Sequence, residues 1–372
     1  MKWNCGGDEL PMWVADMDFR AAPEIIEAMQ ARMDNGVFGY TDLPDELFQA
    51  YADRWSSRYG FEVSEDDVVF ATGVIPIISA CVRKLTTPDE KAVILTPVYN
   101  IFVNCIVNNG RRVCECPLIY ENGGYSIDMN ALESALADPQ TTLLIFCNPH
   151  NPVGRIWDAE TLAQVGELAW KHGVKVISDE IHCDLTDPGK DYIPFASVSE
   201  HCRMNSVTCV APTKAFNLAG IHSAAALVFE PHLRHKVWRE INTDECGEPN
   251  AFAVQATVAA FTKGEEWLSE LREYIYQNKL TVAEYIEKYI PEIRLVPSEA
   301  TYLLWLDCRA AGKSSRELAE GIRSLTGLWL TAGDVYGNGD GFLRMNIACP
   351  KALLADGLER LGRYFSALRG EK

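Results

Sequence analysis

The sequence predicts an α/β fold: a mostly parallel seven-stranded sheet flanked by helices, with a smaller α+β domain beside it. Three observations carry this. Short β-branched or apolar runs alternate with helical patterns from about residue 65 to 230, the rhythm of parallel strands joined by crossover helices. Those runs are hydrophobic throughout, which implies burial on both faces. After about residue 250 the rhythm gives way to a long helical stretch, a pair of strands and two further helices.

Two amphipathic helices come first. One runs from Pro23 to Asn35 and is closed by Gly36; the other, Asp45 to Tyr59, carries Leu47, Tyr51, Trp55 and Tyr59 on one stripe and stops at Gly60. Seven strands follow at Val68–Ala71, Ala92–Leu95, Arg112–Glu115, Leu143–Cys147, Val174–Ser178, Val207–Val210 and Ala225–Phe229. Beyond them the pattern predicts a helix over Glu265–Tyr289, strands around Arg294 to Leu306, a helix at Ser314–Leu325, short strands and a terminal helix from Pro350. The expected division is a large domain of residues 38–250 and a small α+β domain built from 1–37 and 251–372. No repeat or Pro/Ser-rich linker separates the two, so they should pack closely.

With 372 residues and 48% hydrophobic content, the chain can bury a substantial core, which excludes disorder and a disulfide miniprotein. Its 34 Lys+Arg against 52 Asp+Glu leave a formal charge of −18, a field that repels nucleic acid and anionic membrane surfaces. The 12 cysteines are scattered, form no CxxC pair, and sit in apolar runs such as Leu143–Cys147, so reduced thiols in a cytoplasmic enzyme are expected. Cys114 and Cys116 read as period-2 strand packing. No stretch approaches the ~18 apolar residues of a membrane span. The spacing of His150, His172, His201, His232 and His235 proposes no zinc site, and no metal is expected.

In open parallel sheets ligands bind beyond the carboxyl ends of the strands, so the residues there are the ones to inspect. The first strand leads into Thr72-Gly73-Val74-Ile75, a small-residue turn opening a helix, able to hold a phosphate on backbone N–H groups or simply to make a tight turn. The fourth leads into Asn148-Pro149-His150-Asn151-Pro152, a rigid extended turn that also presents the Asn151 amide. The fifth leads into Asp179-Glu180-Ile181-His182; a carboxylate at that place is either a helix cap or a buried charge that needs a cationic partner. The sixth leads to Thr213-Lys214, a lone lysine among small and apolar residues, where desolvation favours the neutral amine that Schiff-base chemistry and proton transfer require.

In this order and at these intervals, the segments resemble the fold-type I pyridoxal-phosphate enzymes, the aspartate aminotransferase superfamily. The elements that match are Asn-Pro-His-Asn-Pro-Val-Gly, Asp-Glu-Ile-His and Thr-Lys-Ala-Phe-Asn-Leu-Ala-Gly. Within that superfamily the chain is most similar to the cystathionine β-lyase and cysteine-S-conjugate β-lyase branch, through Pro11–Phe19, Gly39-Tyr40, Asp179–His182 and Phe342–Pro350. The resemblance implies pyridoxal 5′-phosphate as cofactor and a homodimer. Lys214 would bind the cofactor covalently and then take the Cα proton, while Asp179 would pair with the pyridine nitrogen. Asn151 would reach the phenolic oxygen and the substrate, and Tyr99 would stack on the ring. Gly73, Val74, Ile75 and Thr213 would cradle the phosphate, joined by Tyr40 from the neighbouring subunit. Arg344, with Ala15, would hold the substrate α-carboxylate. His182 stands where many aminotransferases have a tyrosine, and either serves the cofactor ring or packs. Ala211 and His222 stand where a phosphate-binding serine and arginine are common, so the phosphate cup is less cationic.

The implied activity is α,β-elimination from L-cystathionine or a related L-cysteine thioether, giving a thiol, pyruvate and ammonia. The alternatives are an aminotransferase using an amino acid and a 2-oxo acid, and a regulatory protein with vestigial catalysis. A small-molecule amino-acid substrate is common to the first two.

Overall fold

The computed structural model describes residues 1–370. All seven expected strands join one sheet: β1 (Val68–Ala71), β2 (Lys91–Ile94), β3 (Arg112–Glu115), β4 (Thr141–Cys147), β5 (Lys175–Asp179), β6 (Ser206–Val210) and β7 (Ala224–Leu227). Their order across the sheet is β1-β7-β6-β5-β4-β2-β3. Every neighbouring pair is parallel except the two made by β7, which runs antiparallel to β1 and β6. The central strands are buried at every residue but Thr142 and Lys175, as runs such as Leu143–Cys147 require of a sheet covered on both faces.

Register brings the chemistry to one edge. Cys147 pairs with Asp179, and Asp179 with Cys209, so β4, β5 and β6 end level. β5 begins one residue later than the sequence suggests and therefore includes Asp179 as its last residue. Helix α1 spans Pro23–Asn35 and α2 spans Asp45–Tyr59, each closed by a left-handed glycine, Gly36 and Gly60. Helix α3 (Val74–Leu85) follows β1 directly, with Gly73 as an N-cap that offers no side chain to its first N–H groups.

The C-terminal part carries a four-stranded antiparallel sheet of β8 (Arg294–Leu295), β9 (Leu303–Asp307), β10 (Thr331–Ala332) and β11 (Phe342–Asn346), in the order β8-β9-β11-β10. The helices Glu265–Tyr289, Ser315–Thr326 and Lys351–Arg369 surround it. The N-terminal segment joins this part: Leu10 and Pro11 pair in parallel with Leu328 and Trp329. From there residues 12–19 run as a strap along the end of β11, with Asn346 N–H donating to the Met12 carbonyl and Asp18 N–H to that of Ala348. One apolar cluster, from Leu10 and Met12 through Tyr51 and Phe261 to Phe365, joins both parts.

Candidate active site

The strand ends and the strap enclose a cavity of about 330 Å³. Lys214, Asp179, Asn151, His182 and Tyr99 line it, together with Gly73, Val74, Ile75, Thr213 and Ala15. Gly73 and Lys214, 141 positions apart, thus meet because parallel strands deliver their carboxyl ends to the same side, and the strap adds Ala15. Thr72, Pro76, Cys147, Ile181, Ala219 and His222 complete the wall.

Lys214 is half-buried, and its Nζ donates to the Ala15 carbonyl at 2.7 Å. Burial pushes its pKa down; Asp16 pulls it up, Arg344 pushes it down, and Asp179 pulls it up again. Asp179 is 5% exposed and accepts one hydrogen bond, from Ile181 N–H at 3.2 Å. Burial pushes its carboxyl up to about 7, against the weaker pull of that bond and of Lys214. This carboxylate is short of positive charge. His182 is buried, its Nδ1 has no partner, and burial, with Lys214 and Arg344, pushes it down to about 3, so it is neutral. Burial likewise pushes the Tyr99 phenol up to about 12.

Arg344, at the centre of β11, is 5% exposed. Its Nη1 donates to Asn151 Oδ1 at 3.2 Å and its Nη2 to the Trp13 carbonyl at 2.9 Å, while Nε has no partner. No described carboxylate forms an ion pair with it. A buried guanidinium without a counter-ion is costly, and a bidentate carboxylate is the ligand whose geometry answers it.

Tyr40 does not join this cavity; its side chain is 99% exposed. Ala211 is buried behind the wall, and His222, in a left-handed conformation, contributes the exposed rim. Among the other histidines, His150 is buried, with Nε2 2.8 Å from the Pro97 carbonyl. Sequence reasoning did not single out Tyr302, whose hydroxyl donates to the Ala15 carbonyl at 2.9 Å, or Trp13, whose carbonyl Arg344 holds. Neither carries a local signal: one lies in a turn before a strand, and the other acts through its backbone.

The donor set fits pyridoxal 5′-phosphate. An amine whose pKa burial pushes down stands beside a carboxyl that burial pushes up, and the uncapped first turn of α3 offers N–H groups to an anion. Such a site defines a pyridoxal-phosphate enzyme of fold type I. The family model for aminotransferase class I and II matches residues 11–361. Cystathionine β-lyase PatB of Bacillus subtilis (strain 168) is 41% identical over 368 residues, covering 97% of this chain and 95% of that protein. The crystal structure of cystalysin from Treponema denticola, which contains a pyridoxal 5′-phosphate cofactor, superposes with a TM-score of 0.95 at 31% identity, over 98% of this chain and 93% of that one. A pyridoxal-phosphate-bound C–S lyase from Staphylococcus hominis matches with a TM-score of 0.91 at 32% identity, over 97% and 90% of the two chains. The chain belongs to the aminotransferase class I and II family and, within it, to the branch of pyridoxal-phosphate-dependent carbon–sulfur lyases.

Proposed function

We propose that this chain catalyses α,β-elimination from L-cystathionine or a related L-cysteine thioether, releasing a thiol, pyruvate and ammonia. The single observation that carries this reading is Arg344: a buried guanidinium with no carboxylate partner, bonded to the Asn151 amide that lines the cavity of Lys214 and Asp179. It is placed to clamp an amino-acid α-carboxylate, with Asn151 and the Trp13 carbonyl beside it and Ala15 in the cavity wall.

When bound, pyridoxal phosphate supplies an electron sink for the pair left at the substrate Cα. Asp179 would hold the proton on the pyridine nitrogen, and that cation would in turn satisfy a carboxyl now pushed up to about 7. The backbone N–H groups of Val74 and Ile75, at the first turn of α3, and the Thr213 hydroxyl would hold the phosphate. Tyr99 would cover the ring, and neutral His182 would border it without adding charge. Lys214 Nζ, once free, takes the Cα proton; the thiolate then departs from Cβ. Arg344 fixes the carboxylate so that the Cα–H bond faces that amine.

The same reading makes residues 38–250 the cofactor domain and 1–37 with 251–372 the small domain. It makes the active form a homodimer, with the exposed Tyr40 reaching the neighbouring site. All 12 cysteines are free, and no described helix is long and apolar enough to cross a membrane, which supports a cytoplasmic enzyme.

The test is the absorption of the purified protein near about 420 nm, with thiol and pyruvate assayed after addition of L-cystathionine. Both products should appear without any 2-oxo acid, and Lys214→Ala should abolish them. Products that appear only when a 2-oxo acid is supplied would move the chain to the aminotransferases.

A further inference from the structure

The Ala15 carbonyl takes two donors: Lys214 Nζ at 2.7 Å and the Tyr302 hydroxyl at 2.9 Å. Tyr302 is 1% exposed, and its ring meets His182 edge-on, with centroids 6.2 Å apart at 76°. It is delivered by Thr301, whose φ of 67° puts a β-branched residue in the left-handed region. Such a conformation is strained for a β-branched residue and persists only where neighbours impose it. Here Thr301 N–H donates to the Leu185 carbonyl at 2.7 Å, and Thr301 Oγ1 accepts from Leu303 N–H at 3.1 Å.

Holding the strap does not require this. Trp13's carbonyl takes Arg344 and Thr331, those of Val14 and Asp16 take Asn346 Nδ2, and Met17 is bound through both N–H and carbonyl by Asn217. What Tyr302 alone adds is a second donor on the one carbonyl that Lys214 uses. An oxygen that already accepts a hydroxyl has one lone pair engaged and a positive hydrogen beside it, so it holds an ammonium less firmly than a free carbonyl would.

We propose that Tyr302 is a positioning residue for Lys214: it holds the Ala15 oxygen in place as a dock for the free amine and weakens that dock's hold on the lysine proton. The inference rests on the role given to Lys214 above. An amine displaced by substrate must reach Cα in its neutral form, and a dock whose preference for the ammonium is weakened serves that step. The groups that set the charge of Lys214 besides burial are Asp16 from the strap, Asp179 at the end of β5 and Arg344 on β11. His182, Tyr99, Cys147 and His222 share the cavity.

The experiment uses the cofactor-free protein. Acetic anhydride is applied at a series of pH values, and acetylation of Lys214 is followed by mass spectrometry against the surface lysines as internal controls. Tyr302→Phe should move the Lys214 midpoint upward by about half a pH unit, slowing its labelling about threefold on the acid side, while the controls stay put. Asn217→Ala, which loosens the strap without touching the dock, should lower the melting temperature and leave the midpoint where it is. In the holoenzyme, Tyr302→Phe should shift the acid limb of kcat to higher pH with KM unchanged. An unmoved or lowered midpoint in Tyr302→Phe, or an equal shift in Asn217→Ala, would overturn the proposal. The labelling uses neither cofactor nor substrate, so it stands even where the elimination assay fails.

Discussion

Asp179 and Glu180 are consecutive buried carboxylates with different work to do. Glu180 is satisfied inside the protein, accepting from Ser178 Oγ at 2.7 Å, Phe195 N–H at 3.0 Å and the Tyr192 hydroxyl, yet burial still pushes it up to about 8. Asp179 has one backbone donor and faces the cavity. A carboxyl held above its unfolded pKa leaves stability untouched below that unfolded value, about pH 4, and subtracts from it as pH rises toward its folded value. The cofactor-free protein should therefore lose stability between about pH 4 and 8. Asp179→Asn should recover about 2–4 kcal/mol of it at pH 8 and nothing at the acid end, measured by urea unfolding at both pH values. The same variant should lose elimination activity, since an amide cannot keep the pyridine nitrogen protonated. A variant no more stable than the parent at pH 8 would remove desolvation as the cause. Lys214, Asp179 and Asn151 were legible in the sequence because each follows a recognisable buried strand. Tyr302 was not, because its position depends on a backbone conformation that a threonine does not announce.

The turn that follows Asp179 and carries His182 is anchored to α2 by charge. Arg54 meets Asp184 through Nη2 at 2.7 Å and Nε at 3.3 Å, Arg58 Nε lies 2.9 Å from the same carboxylate, and the Tyr59 hydroxyl donates to it at 2.5 Å. Burial alone would raise the Asp184 pKa; Arg54 and Arg58 outweigh it and hold the carboxyl below its ordinary range. Removing one partner strands the other in a dry place, so Asp184→Asn should cost about 3–5 kcal/mol in denaturant unfolding. The double variant Arg54→Met with Asp184→Leu should cost less than the sum of Arg54→Met and Asp184→Leu, because the buried Arg54 charge is then not left behind while Arg58 keeps Glu265. A purely additive cycle would mean that the pair is already solvated. At this scale α1, α2 and the long helix Glu265–Tyr289 were predicted to the residue, since each has an apolar stripe and a clear stop. The helix Ala253–Lys263 was missed because it is buried nearly all round and made mostly of small residues, which erases the 3.6-residue stripe. The hairpin of Ile119–Glu121 and Gly124–Ser126 was missed too; its strands are three residues long.

Across the whole molecule, the alternation of strands and helices sufficed to read the large sheet, but not its one reversal. β7 has the same continuous apolar character as its neighbours and gives no hint that it runs antiparallel. The parallel pairing of Leu10–Pro11 with Leu328–Trp329, which carries the strap to the site, joins segments more than 300 residues apart and has no local signature. Between α1 and α2 the chain exposes Val37 (66%), Phe38 (55%) and Tyr40 (99%) in succession, an apolar run that a lone molecule would have little reason to present. If a second copy covers it and Tyr40 serves the neighbouring site, two defects on different subunits must complement one another. Tyr40→Ala and Lys214→Ala chains, each impaired alone, should be mixed, dissociated and reassembled. Half of the resulting dimers would be mixed, and each of those would hold one site with both Lys214 and Tyr40, so activity should rise to about a quarter of the wild-type value. Sedimentation should show a dimer in both parents, so that the gain reflects shared sites rather than rescued folding. Activity that stays at the mean of the two parents would place Tyr40 outside the neighbouring site, and the exposed run would then need a different partner.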